Sequence, residues 1–169
     1  IGIQSLDDEI LKMNKRGHGI KETKKAIKLL RLAAFKIHAH WMPNLYGATP
    51  KSDYKDFLKL FDKEILPDEL KIYPTSIIEN TELNEIYKNG KYRPYTTKEV
   101  VDLISKCVVH VPKFIRINRL IRDIPGTDIV AGNKSTNLRE VIENNVRVSG
   151  GTLTDIRSRE VKVRDIKEN

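Results

Sequence analysis

The chain has 169 residues, 39% hydrophobic and 32% charged, which suits one folded domain with a real core and excludes an intrinsically disordered polypeptide. A surplus of 31 basic over 23 acidic residues gives a formal net charge of +8, which favours a polyanionic partner, nucleic acid before a membrane surface. The single cysteine, Cys107, rules out a disulfide framework and a cysteine-ligated metal or iron–sulfur centre within this chain, and no apolar run reaches the length of a membrane span.

Ile1 to Gln4 reads as a short strand without a signal-peptide pattern, so the chain is expected to begin inside a longer protein. Ser5 starts a short helix that Asn14 to Gly19 breaks. Lys21 to Ala34 forms an amphipathic helix, with Ala26, Leu30, Ala33 and Ala34 on one face and lysines on the other. Lys36 to Met42 is the next strand. A helix over Ser52 to Phe61 follows, turning Tyr54, Phe57, Leu58 and Phe61 to one side. Glu69 to Tyr73 alternates as a strand and stops at Pro74, and a helix over Thr81 to Lys88 is closed by Gly90. Thr96 and Glu99 form a capping box ahead of Val100, Leu103, Ile104, Cys107 and Val108, which follow helical spacing. The apolar helical setting of Cys107 marks a core thiol rather than a nucleophile. A strand over 113–118, a helix over Asn137 to Val146 and a tail strand over Glu160 to Ile166 complete the chain.

Strands near residues 1, 36, 69 and 113 separated by helices predict parallel pairing with helical crossovers, about half of an α/β barrel. In such a barrel the chemistry sits at the C-terminal strand ends, here Gln4-Ser5, His40-Trp41, Lys71 to Tyr73 and Asn118-Arg119. The last strand carries Arg116, Arg119 and Arg122 at intervals of three and runs into a loop with Lys134 and a new helix at Asn137-Leu-Arg139. A strand feeding a basic loop and a helix N-terminus is a common way to hold an anion. The alternative is that these arginines only solubilise a surface loop. Lys71 and Tyr73 share one side of their strand by its period of two, and a buried lysine there requires an anionic partner. His38 and His40 also alternate on one strand, but without an identifiable third ligand they read as barrel histidines, and no metal site is expected.

Several segments together resemble a known family. Gly2-Ile-Gln-Ser5 followed by Asn14-Lys-Arg-Gly-His18 resembles the middle of radical S-adenosylmethionine barrels. His40-Trp-Met-Pro-Asn-Leu45, Leu70-Lys-Ile-Tyr-Pro-Thr75, Tyr92-Arg-Pro-Tyr95, Arg116-Ile-Asn-Arg119, Arg122-Asp-Ile-Pro125 and Asn137-Leu-Arg139 narrow the resemblance to the catalytic subunit family of the Elongator complex. It covers residues 1 to about 161. The resemblance implies an α/β fold, the C-terminal part of a partial TIM-like radical barrel with parallel strands and outer helices. Residues 1–149 are then barrel and 150–169 a linker toward an acetyltransferase domain.

What the family implies for function is a cytoplasmic tRNA-modifying acyltransferase that builds a carboxymethyl group on carbon 5 of the wobble uridine. S-adenosylmethionine and a 4Fe-4S cluster are its cofactors, acetyl-CoA its co-substrate, and tRNA, other Elongator subunits or a second copy its partners. No membrane is involved. The cluster cysteines lie upstream of the matched stretch. By this resemblance Gln4 faces the adenosine of S-adenosylmethionine, the alternative being a polar strand-end residue that only caps a helix, and Lys71 and Tyr73 line the catalytic cavity. Arg116, Arg119, Arg122, Lys134 and Arg139 make the tRNA surface, extended by Arg157 and Arg159. A flipped base has Tyr73 or Trp41 to stack on. Where some family members carry three zinc-binding cysteines this chain reads Leu153 to Ser158, so no structural zinc is expected. The rival readings are another radical barrel acting on a small molecule, which the clustered arginines disfavour, and a non-catalytic RNA-binding or assembly module.

Overall fold

The computed structural model describes residues 1–121, 126–132 and 137–161. Three strands, β1 (His38–Trp41), β2 (Glu69–Ile72) and β4 (Arg116–Arg119), form a parallel sheet in the order β1-β2-β4. Gln4 extends the β1 edge by a single parallel bridge to Trp41. Parallel neighbours need long crossovers, and these are α3 (Pro50–Lys59) between β1 and β2, and α5 (Thr97–Val108) between β2 and β4. The remaining helices are α1 (Asp8–Met13), α2 (Ile20–Leu32), α4 (Glu82–Lys88) and α6 (Leu138–Val148).

Most of the helices start where the sequence supplies a cap. Thr49 accepts the Ser52 N–H with Pro50 in the first turn of α3, and Thr96 and Glu99 close the capping box of α5. Gly90 follows α4 at φ +69°, the left-handed conformation that ends helices. The core lies between the sheet and its helices. Ala39, Trp41, Leu70, Ile72 and Ile117 meet Phe57 of α3 and Leu60 just past its end, Leu103, Ile104 and Cys107 of α5, and Leu138 and Ile142 of α6.

Several expectations need correction. The first strand shrinks to the bridge at Gln4, whose positive φ of 65° prevents an extended run. Helix α1 is capped by Asp7, because the Ser5 hydroxyl turns inward to Asp56. On α2 the buried residues are Thr23 and Ile27, whereas Ala33 and Ala34 lie beyond the helix and are exposed. On α4 the spacing turns Leu83, Ile86 and Tyr87 inward, but these three are only half-buried and it is Asn84 that is buried. The structure adds a short antiparallel ribbon of β3 (Ile77–Ile78) and β5 (Ile129–Ala131), which the sequence does not announce because strands of two and three residues carry too little periodicity. The tail strand falls largely outside the described residues.

Ile104 is fully buried at the centre of this core. Ile104→Ala is expected to lower the unfolding free energy by roughly 2–5 kcal/mol in chemical denaturation, through lost transfer energy and a residual cavity.

Candidate functional site

The face of the sheet turned away from the helices is polar. Burial alternates along β1 and β2, so Leu70 and Ile72 enter the core while Glu69, Lys71 and, beyond the strand, Tyr73 take the other side with His38 and His40. The three aromatic rings form an edge-to-face column, His38 to His40 at 5.4 Å and His40 to Tyr73 at 5.6 Å between centroids. At its lower end Glu69 Oε2 lies 3.3 Å from His38 Nδ1 and accepts the Asn118 carboxamide at 2.7 Å. Burial, and then the Lys71 charge, hold the His38 imidazole below its usual range, with Glu69 opposing them. The ring's other nitrogen, Nε2, is buried and without a hydrogen-bond partner among the described residues.

The sheet is irregular where it matters for charge. Glu69 pairs with Arg116 and Leu70 with Ile117, but Lys71 pairs with Arg119, so Asn118 is an extra residue in β4. The bulge sets Arg119 rather than Asn118 opposite Lys71, at the C-terminal ends of adjacent strands. Gln4 stands across β1 at the same rim. Its backbone is tied to His40 and Met42, and its carboxamide is hydrogen-bonded to none of the described residues.

The other predicted arginines meet along the free edge of β4. The segment 153–160 runs beside it as a strap. Asp155, itself buried, accepts the Ile117 and Arg157 N–H groups, and the Ile156 N–H donates to the Ile115 carbonyl. Arg139 donates to the Ile117 carbonyl at 2.6 Å, Arg157 to the Asn118 carbonyl at 2.8 Å and Arg159 to the Lys113 carbonyl at 2.6 Å. Arg116 pairs with Glu160. These forks therefore close a sheet edge, each with further N–H groups directed elsewhere. Arg119 is exposed, and Arg122 and Lys134 lie outside the described residues.

Other expectations resolve differently. Trp41 has no exposed surface and donates its indole N–H to Asp56, so it offers no stacking face to a base. Cys107 is buried in α5, where burial and then the nearby Asp53 push its thiol well above the usual range, and one such thiol does not fit an iron–sulfur cluster. Among the described residues no group of three His, Cys, Asp or Glu side chains is placed to hold a metal ion, and no helix is long and apolar enough to cross a membrane.

Sequence reasoning missed a buried polar layer on α3. Asp53 accepts the Asn44 N–H and the Tyr95 hydroxyl, and Asp56 accepts the Leu6 N–H, the Trp41 indole and the Ser5 hydroxyl. The available signal was two aspartates three apart beside Phe57, on the face expected to be apolar.

A parallel sheet with helices over one face and a polar, cation-bearing opposite face defines a wall of an α/β barrel. Residues 67–147 match the family model described as the Radical_SAM C-terminal domain. Over 95% of its length the chain is 41% identical to the tRNA uridine(34) acetyltransferase of Methanocaldococcus infernus, and over 98% it is 34% identical to Elongator complex protein 3 of Danio rerio. It spans about 30% of the length of these curated relatives. A solved structure of archaeal Methanocaldococcus infernus Elp3, with an N-terminal deletion (1–46), superposes with a TM-score of 0.91 at 41% identity, covering 95% of this chain and 38% of that one. The resemblance to the Elongator catalytic-subunit family and to a radical barrel is thereby borne out for this stretch.

Asp53 generates a pH prediction. Burial pushes its carboxyl up to about 7, against the lowering effect of its two donors. The folded state therefore holds a proton that the unfolded state has released between about pH 4 and 7, and the group's contribution to stability falls as pH rises through that window. In denaturant titrations the stability of the wild type relative to Asp53→Asn should decline from about pH 4 to 7 and stay level above it.

Proposed function

We propose that this chain is the C-terminal part of the radical barrel of a tRNA-modifying enzyme that acts on the wobble uridine, with acetyl-CoA as co-substrate. The observation that carries the reading is the polar rim of Gln4, Lys71, Tyr73 and Arg119 on a sheet whose fold matches an archaeal Elp3 at a TM-score of 0.91. The names of the relatives support tRNA as the substrate. The net charge of +8 suits a polyanion.

In this reading the Gln4 carboxamide, free of described partners, meets the adenosine of S-adenosylmethionine, and Lys71 neutralises an anionic group in the lumen. Tyr73, whose ring meets His40 in a T-shaped pair, stacks on a base. Bound S-adenosylmethionine supplies the radical chemistry. The iron–sulfur cluster is held by residues outside this chain, because Cys107 does not fit that role. Arg116, Arg119, Arg122 and Lys134 contact tRNA phosphates, joined by the unused N–H groups of Arg139, Arg157 and Arg159. Other Elongator subunits or a second copy complete a cytoplasmic assembly.

The full-length protein tests both halves of the reading. Replacing Arg119 and Arg122 by alanine should weaken tRNA binding and flatten its salt dependence by about one unit for each phosphate no longer neutralised. Unchanged binding across a salt titration would return these arginines to a purely structural role. Lys71→Met should lower uridine modification roughly tenfold to hundredfold while tRNA affinity stays within about twofold. An equal loss in both would place Lys71 in general tRNA binding instead.

A further inference from the structure

The loop after β1 contains a residue whose bonding exceeds what a turn needs. Asn44 has a left-handed backbone, φ +68°, and is 1% exposed. Asparagine adopts this conformation more readily than most residues, but glycine would serve the turn as well. The side chain adds something else. The Asn44 N–H donates to Asp53 Oδ2 at 2.7 Å, and its carbonyl accepts the Tyr92 hydroxyl at 2.6 Å. Its Oδ1 accepts the Tyr95 N–H at 3.2 Å, and its Nδ2 donates to the Thr75 carbonyl at 3.3 Å. Asp53 Oδ2 takes the Tyr95 hydroxyl as well, at 2.9 Å, which closes the circuit.

These bonds join segments that are far apart in sequence. The parallel ladder runs on beyond the ends of β1 and β2, from the Tyr73 N–H to the Trp41 carbonyl and from the Thr75 N–H to the Pro43 carbonyl. Asn44 grips the next carbonyl along, that of Thr75. From the other side Gly132 abuts the same segment. A Cβ there would stand 3.2 Å from Ser76 Cα and 3.4 Å from the Thr75 carbonyl, and its φ of +115° also demands glycine. Thr75–Ser76 is thus held between Asn44 and the end of β5, one residue past Pro74 and two past Tyr73.

We propose that Asn44 is a positioning residue, which through Thr75, Tyr92 and Tyr95 holds the loops at the C-terminal ends of β1 and β2 as one preset rim and so fixes the direction of Tyr73. The rim is a buried network in which the backbone and the side chain of Asn44 both donate and both accept. Removing one member leaves unpaired groups on two other loops at once, so loosening spreads across the segments rather than staying local. The inference about the rim stands on these bonds alone. Only its consequence for turnover rests on the proposed tRNA chemistry.

The test compares full-length proteins by hydrogen exchange and by kinetics. Asn44→Gly keeps the backbone conformation and deletes the two side-chain bonds. Exchange at the amides of Tyr73, Thr75, Ser76 and Tyr95 should quicken about tenfold together, while α5 keeps its protection. For uridine modification, kcat should fall about tenfold with KM within about twofold, and Ile104→Val, which weakens the core without touching this network, should leave kcat unchanged. If Asn44→Gly does not fold, Tyr92→Phe serves, because it removes only the bond to the Asn44 carbonyl. Quicker exchange at Thr75 and Ser76, which Tyr92 does not bond, is then the expected result. Loosening confined to the substituted loop, loosening of the whole molecule, or an equal loss of kcat in Ile104→Val would overturn the proposal. Absence of any uridine modification in the wild type would sink the tRNA reading and leave the exchange result to decide the rim.

Discussion

The fold depends on one constraint, the strict two-sidedness of three very short parallel strands. Each has only four residues, too few to hold a sheet by backbone bonding alone, so the helices must supply the cohesion. They do so through one face, where Ala39, Trp41, Leu70, Ile72 and Ile117 are all but inaccessible and the Trp41 ring meets Phe57 at 4.9 Å. A period of two then leaves no choice about the other face. Once Leu70 and Ile72 are committed to the helices, Glu69 and Lys71 must stand on the opposite side, together with His38, His40 and Arg116. The polar wall and the apolar core are two results of one register. Parallel strands also direct all their C-terminal ends to one rim, which gathers Gln4, Tyr73 and Arg119 without any local motif to join them.

The second constraint is the free edge of β4, whose backbone groups need partners. Side chains provide most of them. Asp155 accepts from one N–H, while Arg139 and Arg157 donate to successive carbonyls, Ile117 and Asn118. Arginine suits this work better than lysine, since its planar fork reaches two acceptors and it is more weakly hydrated, so partial burial costs it less. Burial does draw the Arg139 guanidinium below its usual value, with Glu143 acting in the opposite direction. Part of the basic surplus that suggests a polyanion is thus committed to the sheet, and a count of charges alone overstates the surface available for phosphates.

The elements that the sequence disclosed are those whose causes are local. The α5 helix combines a capping box with an unbroken apolar stripe, and both appear as expected. The facing of Lys71 and Tyr73 follows from alternation along a single short strand. The misreadings have distant causes. Trp41 sits at a strand end, a position that suits an exposed aromatic, yet Asp56 fifteen residues later draws its indole inward. The buried face of α2 is set by Thr23 and Ile27, because the helix ends at Leu32, before Ala33 and Ala34 could join it. The bulge that sets Arg119 opposite Lys71 exists only as a register between two strands distant in sequence, so no window of sequence contains it.

The buried aspartates of α3 belong to the same class and explain where the fold tolerates polarity. An ionised carboxylate in a core is costly unless donors surround it. Asp56 has three such donors from two other segments, Ser5 and Leu6 on one side and Trp41 on the other, while Asp53 draws on the loops at 44 and 95. Asp53 also lies in the first turn of α3, where the helix dipole favours negative charge. Even so, burial outweighs these aids and raises both carboxyls above their ordinary values. The fold therefore accepts a real cost, and it does so at the end of the sheet where the strands deliver their C-termini, in order to pin three loops with side chains that could have been apolar. A core serving stability alone would fill that layer with hydrocarbon. Loops joined to one another by hydrogen bonds rather than by packing have a physical reason to keep it polar.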